Sequence, residues 1–356
     1  MVGNRLGWLI SAAMVVVVVV GLTTLGIVVG RSRERQTEKK QERQQNAQFD
    51  TMTIIGQRAR AWKLQPAIPP RAIAQAWMTE SGDPAPLYRQ AIKEYNAAPR
   101  FFENYKATAT DDLPFTQREQ IDRVMNLLIK ASRLSGRGVI PDEADKLISY
   151  DPDISSLKAL RTMGEVAAGY AWFWKNKKND PAKAWELYQA RFSLGTHLFE
   201  ERITAKELVL AHQMLAIGRT MQADARSEEQ KQKLDEFNRK WAEFWELDVM
   251  RIYPGALYRN DLNVYDMVAL ATQGTEMLWR VEATLALGRC RHSCQDYKTQ
   301  QIYDNARHDA DKTIQALINS GDPYIKLAAQ AASKLTVEEW RKMAGAVYGI
   351  GNPFDL

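Results

Sequence analysis

Residues 116–136 read TQREQIDRVMNLLIKASRLSG, and their pattern decides the fold class. Apolar side chains recur at intervals of three and four residues, which places them on one face of a helix. These side chains are Ile121, Val124, Met125, Leu128, Ala131 and Leu134. Thr116 and Glu119 fit a capping box at the start, and Gly136 is typical of a helix end. The segment is predicted to be an amphipathic helix that packs against a neighbour.

Similar helical signals continue from Arg71 to the C-terminus. Thr204 and Thr336 each precede a glutamate by three residues, as in a capping box. Proline suits the first helical turn, and the Asp-Pro step recurs at Asp83–Pro84, Asp151–Pro152, Asp180–Pro181 and Asp322–Pro323. We find no alternating apolar runs with hairpin turns, so the prediction is an all-α fold over residues 71–356.

Parts of this body resemble known helical repeats. Residues 322–335 (DPYIKLAAQAASKL) resemble the second helix of a HEAT repeat, and residues 279–289 share its cadence at an offset of 46 residues. Residues 164–190 resemble a tetratricopeptide hairpin, and residues 83–95 resemble the second half of one. The resemblance covers about a third of the chain. It implies a solenoid of stacked hairpins with a protein-binding surface, and an irregular helical bundle is the alternative.

A long apolar run lies near the N-terminus. Residues 6–30 carry no charge, and as a helix they would extend about 37 Å, enough to cross a hydrocarbon core of about 30 Å. The run exceeds a signal-peptide core, and no small-residue cleavage site follows it, so a single-pass transmembrane anchor at 1–30 is predicted over a cleaved signal. Gly26 and Gly30 form a GxxxG pattern at its end. This pattern can let two transmembrane helices approach closely, so oligomerisation through the anchor stays an open alternative.

The net charge of +5 is concentrated beside this anchor. Residues 1–48 hold seven basic and three acidic side chains, so the remaining chain holds 41 basic and 40 acidic ones. The stalk and linker, residues 31–70, is therefore predicted to contact anionic lipid headgroups through Arg31, Arg33, Arg35, Lys39, Lys40 and Arg43. The nearly neutral body argues against nucleic-acid binding. The positive-inside rule places the body in the cytoplasm, and an external body is the alternative.

Metal ligation has one weak candidate region. Cys290 and Cys294 would lie one helical turn apart, and thiolates are suitable zinc ligands. The spacing is unlike a zinc motif, His292 would point off their face, and His308 is the nearest further ligand in sequence. A disulfide, which requires an oxidising compartment, and ordinary helix-end residues are the alternatives. The prediction is that the chain holds no metal and no cofactor.

Catalytic motifs are missing from the sequence. It contains no P-loop, GxGxxG, HExxH, GxSxG or CxxCH pattern. His197 and Glu200 are three residues apart, but their order is the reverse of the Glu-x-x-His that di-iron bundles use. No catalytic residue is therefore predicted, and the chain is expected not to be an enzyme.

Aromatic residues give the candidates for partner binding. Six of the ten tryptophans fall in predicted helices, where core packing is the ordinary explanation. Trp172 and Trp174 are two residues apart and cannot share one helix face, so at least one of them is expected to be exposed. Because Trp and Tyr are good interface anchors, Trp172, Trp174 and Tyr188 are the predicted partner contacts.

These features together favour a membrane-anchored helical scaffold or adaptor that mediates protein–protein interaction. A membrane-anchored enzyme or metal-binding protein is one alternative. A structural subunit of an envelope complex, assembled through the anchor itself, is another. The sequence does not identify the partner.

Overall fold

Regular structure in this protein is helical wherever the structure describes it. The structure is a computed structural model that describes residues 65–249, 264–293, 300–340 and 342. Within these ranges the elements are all helices, and the single strand-type pairing is an isolated bridge between Glu80 and Leu134. The prediction of an all-α body is therefore confirmed. Residues 1–64, which hold the predicted anchor and its basic flank, lie outside the described ranges, as does Cys294.

A search of the described helices finds none that is both long enough and apolar enough to cross a bilayer.

The N-terminal part of the body is a bundle of ten α-helices with two 3₁₀ segments and a π-helical end. In chain order these are α1 (Pro70–Ala74), α2 (Ala85–Asn96), α3 (Pro99–Glu103), the first 3₁₀ segment (Ala107–Asp112), α4 (Phe115–Ser132), the second (Pro141–Glu143), α5 (Ala144–Leu147), α6 (Ser155–Asn176), α7 (Pro181–Glu201), α8 (Ala205–Leu215), α9 (Gly218–Asp224), α10 (Glu228–Glu243) and the π-helical turn Phe244–Val249. The C-terminal part comprises α11 (Val264–Gln273), α12 (Met277–Ser293), α13 (Gln300–Ile318) and α14 (Pro323–Lys334).

Several predicted helix starts are confirmed by their capping contacts. The Asp180 carboxylate accepts from the Lys183 amide at 2.9 Å, and Asp322 caps α14 in the same way. Two of the predicted capping boxes form at helix N-termini, one at Thr204 and one at Thr336. Such contacts satisfy backbone donors that have no partner inside the helix, which is why local sequence predicts them.

Two predicted helix starts are wrong. Thr116 does not cap α4, because Pro114 occupies the N-cap position and the helix already begins at Phe115. Asp151–Pro152 does not open α6, which begins at Ser155, where the Asp153 carboxylate accepts from the Ser155 amide at 3.0 Å. A neighbouring side chain therefore replaces the predicted cap at α6, whereas no side chain caps the first turn of α4.

Helix α7 is the centre of the N-terminal bundle, with α1, α4, α6 and α8 packed around it. Its residues 192–199 are buried without exception. Small residues make this packing possible. A Cβ on Gly164 of α6 would lie 2.2 Å from the Met214 sulfur, and one on Gly195 would lie 2.8 Å from Leu215 Cγ. The three helices α6, α7 and α8 therefore approach closely at glycine positions.

Helix α12 is the centre of the C-terminal part and packs against α11, α13 and α14. The two HEAT-like stretches lie on α12 and α14, and Arg280 Nη1 lies 3.6 Å from the Asp322 carboxylate between them. One contact between the two parts of the body is the hydrogen bond that the Tyr150 hydroxyl donates to the Leu285 carbonyl at 2.6 Å. The contacts do not test a repeat architecture, so the solenoid stays a prediction.

Candidate functional site

A cleft of about 420 Å³ runs along helix α6. One wall is the N-terminal half of α6, and the other is formed by the end of α2, by α3 and by the start of the first 3₁₀ segment. We call it the Tyr105 cleft. Its lining residues are Tyr95, Phe102, Glu103, Tyr105, Ala107, Lys158, Arg161, Thr162, Glu165, Val166 and Gly169. The volume is within the range of about 300–1,000 Å³ that is usual for ligand sites.

The floor of the Tyr105 cleft is apolar and well packed. Tyr95, Phe102 and Val166 are all buried. The Tyr95 and Phe102 rings pack with their centroids 5.5 Å apart. The Tyr105 hydroxyl shares a hydrogen bond of 2.7 Å with the buried Thr110 hydroxyl, and burial raises the pKa of Tyr105 to about 12. The phenols therefore stay neutral, and the floor offers apolar surface rather than charge.

Gly169 accounts for the fit of Tyr105 against α6. A Cβ at this position would lie 3.2 Å from Tyr105 Cε1 and 3.5 Å from Ala107 Cβ. The missing side chain lets the first 3₁₀ segment approach α6 and close one end of the cleft. The sequence alone does not show which segment approaches Gly169.

Charged side chains form the rim of the Tyr105 cleft. Arg161 Nε donates to the Glu165 carboxylate at 3.1 Å, one turn along α6. Across the cleft the Tyr95 hydroxyl donates to Glu103 Oε1 at 3.2 Å. Lys158, in the first turn of α6, is exposed. The rim thus carries two cations and two carboxylates above an apolar floor.

The three predicted partner contacts lie elsewhere and do not cluster in this cleft. Trp172, on α6, is 38% exposed, whereas Trp174 is half-buried, as the two-residue spacing requires. Tyr188 is buried on α7, where burial and then the neighbouring Asp224 carboxylate raise its pKa to about 12. Tyr188 is therefore a core residue, because α7 is central, and it offers a partner no surface in this structure.

The weak metal candidates are not brought together by the described part of the chain. Cys290 is buried, and its sulfur lies 3.6 Å from the Met267 sulfur. His308 is exposed on α13. His292 is buried, with Nε2 at 2.7 Å from the Leu335 carbonyl. No group of three potential ligands is found among the described residues.

The most strongly perturbed acids lie at a different place, the junction between α7 and α8. Glu201 accepts hydrogen bonds from the amides of Val139 and Ile140, and its pKa is raised to about 7 by burial. Glu207 is fully buried, and its pKa is raised to about 8 by burial and then by the Glu201 charge. Its Oε2 closes the capping box with the amides of Ile203 and Thr204, at 2.8 and 2.7 Å.

Ion pairs at this junction fasten distant parts of the chain. The Arg71 guanidinium, at the start of the body, donates two hydrogen bonds to the Glu200 carboxylate. It also donates to the Ser135 carbonyl at 2.9 Å. Arg202 pairs with Glu276 at 2.8 Å, which ties the end of α7 to the start of α12. Most of the polar groups named here are engaged by backbone or by one another, whereas Glu207 Oε1 has no hydrogen-bond partner among the described residues. The junction therefore joins elements rather than receiving a ligand.

His197 is a further buried polar residue near the junction. Its Nδ1 lies 2.9 Å from the Tyr88 hydroxyl, and its Nε2 lies 3.1 Å from the Leu134 carbonyl. The carbonyl can only accept, so Nε2 carries the proton and Nδ1 accepts from Tyr88. Burial lowers the pKa of His197 to about 4. The imidazole is a neutral structural link between α7, α2 and the residues that follow α4, and Glu200 is paired with Arg71.

Cavity volume and perturbed pKa values thus indicate different places in this protein. We take the Tyr105 cleft as the candidate functional site, because it has free volume, an apolar floor and exposed polar groups. The charged residues of the junction do not line this cleft.

Comparison of the chain with protein-family models, with curated proteins and with solved structures finds no match.

Proposed function

We propose that this protein is a membrane-anchored helical scaffold that binds partner proteins, and that the Tyr105 cleft is a binding site for them. The observation that supports the proposal most is the cleft itself, an accessible trough between helices with an apolar floor and a charged rim. Sites of this composition take up apolar groups while the rim fixes their orientation. The anchor at residues 6–30 would hold the scaffold at the membrane, with the basic stalk against anionic headgroups.

Features of the rim argue for a partner rather than a reaction. Each carboxylate of the cleft accepts a hydrogen bond from a neighbour of its own wall, Glu165 from Arg161 and Glu103 from Tyr95. No histidine or cysteine lines the cleft. General acid–base or nucleophilic chemistry needs a group of matched pKa beside the reacting atoms, and the lining offers no such pair.

Filling the cleft tests the proposal. Thr162 is half-buried in its α6 wall, so T162W would place an indole in the free volume. Lys130, exposed on α4 and not part of the lining, gives the matched control K130W. The tagged full chain is cross-linked in intact cells, purified, and its retained proteins are quantified by mass spectrometry. We expect T162W to lose a defined set of proteins that wild type and K130W retain. Equal retention by all three chains would refute the proposal.

A further inference from the structure

The shape and charge of the Tyr105 cleft define a class of occupant, and this step rests on the function proposed above. We propose that the cleft binds an extended segment of a partner protein, with an acidic side chain at the Lys158 end and apolar side chains along the rest. Three observations carry this inference: the length of the cleft, the pairing of its charges and the composition of its floor.

The length favours an extended polypeptide. The α6 wall runs from Lys158 to Gly169, which is about 16 Å at the rise of a helix. An extended chain covers that distance with about five residues. Lys158, Arg161 and Glu165 all belong to this wall and follow one another along it, so polar contacts are available over its whole length. A compact small molecule would engage only part of this wall.

The charges on the rim favour an acidic side chain of the bound segment at the Lys158 end of the cleft. Arg161 is paired with Glu165, whereas in the part of the chain that the structure describes the Lys158 ammonium has no ion-pair or hydrogen-bond partner. Lys158 also lies in the first turn of α6, where the helix dipole adds positive potential. Farther along the cleft Glu165 and Glu103 repel a second acid. An anionic side chain is therefore favoured beside Lys158 and disfavoured elsewhere.

The floor suits apolar side chains in the remaining positions. Val166 and Phe102 are 3% and 2% exposed, so the small surface that each leaves to the cleft is held in place by packing before a ligand arrives. Tyr105 is half-buried and neutral, and its ring packs against Gly169, where an added Cβ would lie 3.2 Å from Cε1. Contact with such a preformed surface costs little ordering entropy.

The test uses defined peptides and the full chain in detergent. The probes are pentapeptides of leucine and alanine, blocked at both ends to remove terminal charges, in which one glutamate or one glutamine is moved through the five positions. Binding is measured by fluorescence anisotropy. We expect glutamate at one terminal position to bind about three- to tenfold more tightly than glutamine there, and glutamate at central positions to bind more weakly.

Reversing the charge of Lys158 tests whether this side chain causes the preference for a terminal glutamate. K158E should abolish or invert the terminal preference, whereas K130E, a charge reversal outside the cleft, should leave it unchanged. Both lysines are exposed, and circular dichroism checks that both variants fold. Equal affinity for glutamate and glutamine peptides, no binding of any peptide, or an unchanged preference in K158E would overturn the inference. If T162W nevertheless loses its partner proteins, the scaffold proposal stands and only the acidic segment is refuted.

Discussion

Replacing Glu207 with glutamine separates two properties of this side chain, its hydrogen bonding in the capping box and its ability to ionise. Glutamine retains an oxygen that accepts the capping-box hydrogen bonds from Ile203 and Thr204, but it cannot ionise. The wild-type carboxyl is fully buried, and its pKa is raised to about 8 by that burial and by the charge of Glu201. The substitution therefore shows whether an ionisable group at the α7–α8 junction limits the stability of the body.

The sign follows from the pKa values of the folded and unfolded chains. In the unfolded chain a glutamate titrates near pH 4.5, so between this pH and about 8 folding takes up a proton at Glu207. The stability contributed by the raised pKa is fully present below pH 4.5 and is lost as the pH rises through about 8. At up to about 1.4 kcal/mol per pH unit, the loss between pH 5 and 8 is on the order of 4 kcal/mol.

Urea unfolding of the full chain in detergent, followed by tryptophan fluorescence at several values between pH 5 and 8, measures this loss. We expect the free energy of unfolding of E207Q to fall less steeply with pH than that of the wild type, so that E207Q is the more stable chain at pH 8. Parallel pH dependences for the two chains would refute the reasoning, since they would mean that Glu207 is ionised throughout.

The capping box at Thr336 supplies a matched control for the one at Thr204. Glu339 makes the same contacts to Thr336, but it is exposed, and its hydrogen bonds to Thr336 lower its pKa. A lowered pKa contributes stability above the unfolded value, which is lost as the pH falls through the folded one. E339Q should therefore lose stability at neutral pH, whereas E207Q should gain it.

Three further predictions concern packing, ion pairing and topology. Gly195→Ala should destabilise the body by about 2 kcal/mol in urea unfolding, because the new methyl group would lie 2.8 Å from Leu215 Cγ in a packed core. Arg71→Met should cost about 2 kcal/mol by the same measurement, because it leaves the carboxylate at the end of α7 without its guanidinium partner. A reporter enzyme fused after Leu356 should be active in the cytoplasm, because the basic flank of the predicted anchor favours that side.

Controls for these predictions come from the same chain. Gly321→Ala should be neutral or slightly stabilising, since no atom lies within 4 Å of the added carbon, so equal costs at Gly195 and Gly321 would contradict the packing argument. Arg89 pairs with Asp142 at the surface, and Arg89→Met should change stability by less than about 0.5 kcal/mol. A cost at Arg89 as large as that at Arg71 would contradict the role given to burial. External reporter activity would reverse the predicted orientation.

Local chemistry explains which helix starts could be predicted from the sequence. Asp180, Asp322 and Thr204 satisfy the first backbone donors of their own helices, so a few neighbouring residues contain the whole signal. At Thr116 a neighbouring proline begins the helix earlier than the capping pattern indicates. The all-α class was predictable because such signals recur along the body.

The centre of the bundle and the cleft depend on contacts between distant segments. Tyr188 is a plausible surface aromatic in sequence, but α7 is enclosed by other helices, and tertiary packing buries the ring. Lys158 and Glu165 resemble the solvated face of any amphipathic helix. Only the fold brings them opposite Glu103 and Tyr105, more than fifty residues earlier in the chain, to form a cleft. No local pattern records that pairing.

The central claim, that partner proteins occupy the Tyr105 cleft, is tested most directly by site-specific photo-crosslinking in intact cells. A benzophenone side chain is placed at position 162, in the cleft, or at position 130, on the exposed face of α4. We predict discrete protein adducts at position 162 that are absent at position 130 and that disappear when the chain also carries K158E. Adducts that are identical at both positions, or no protein adduct at position 162, would contradict the account.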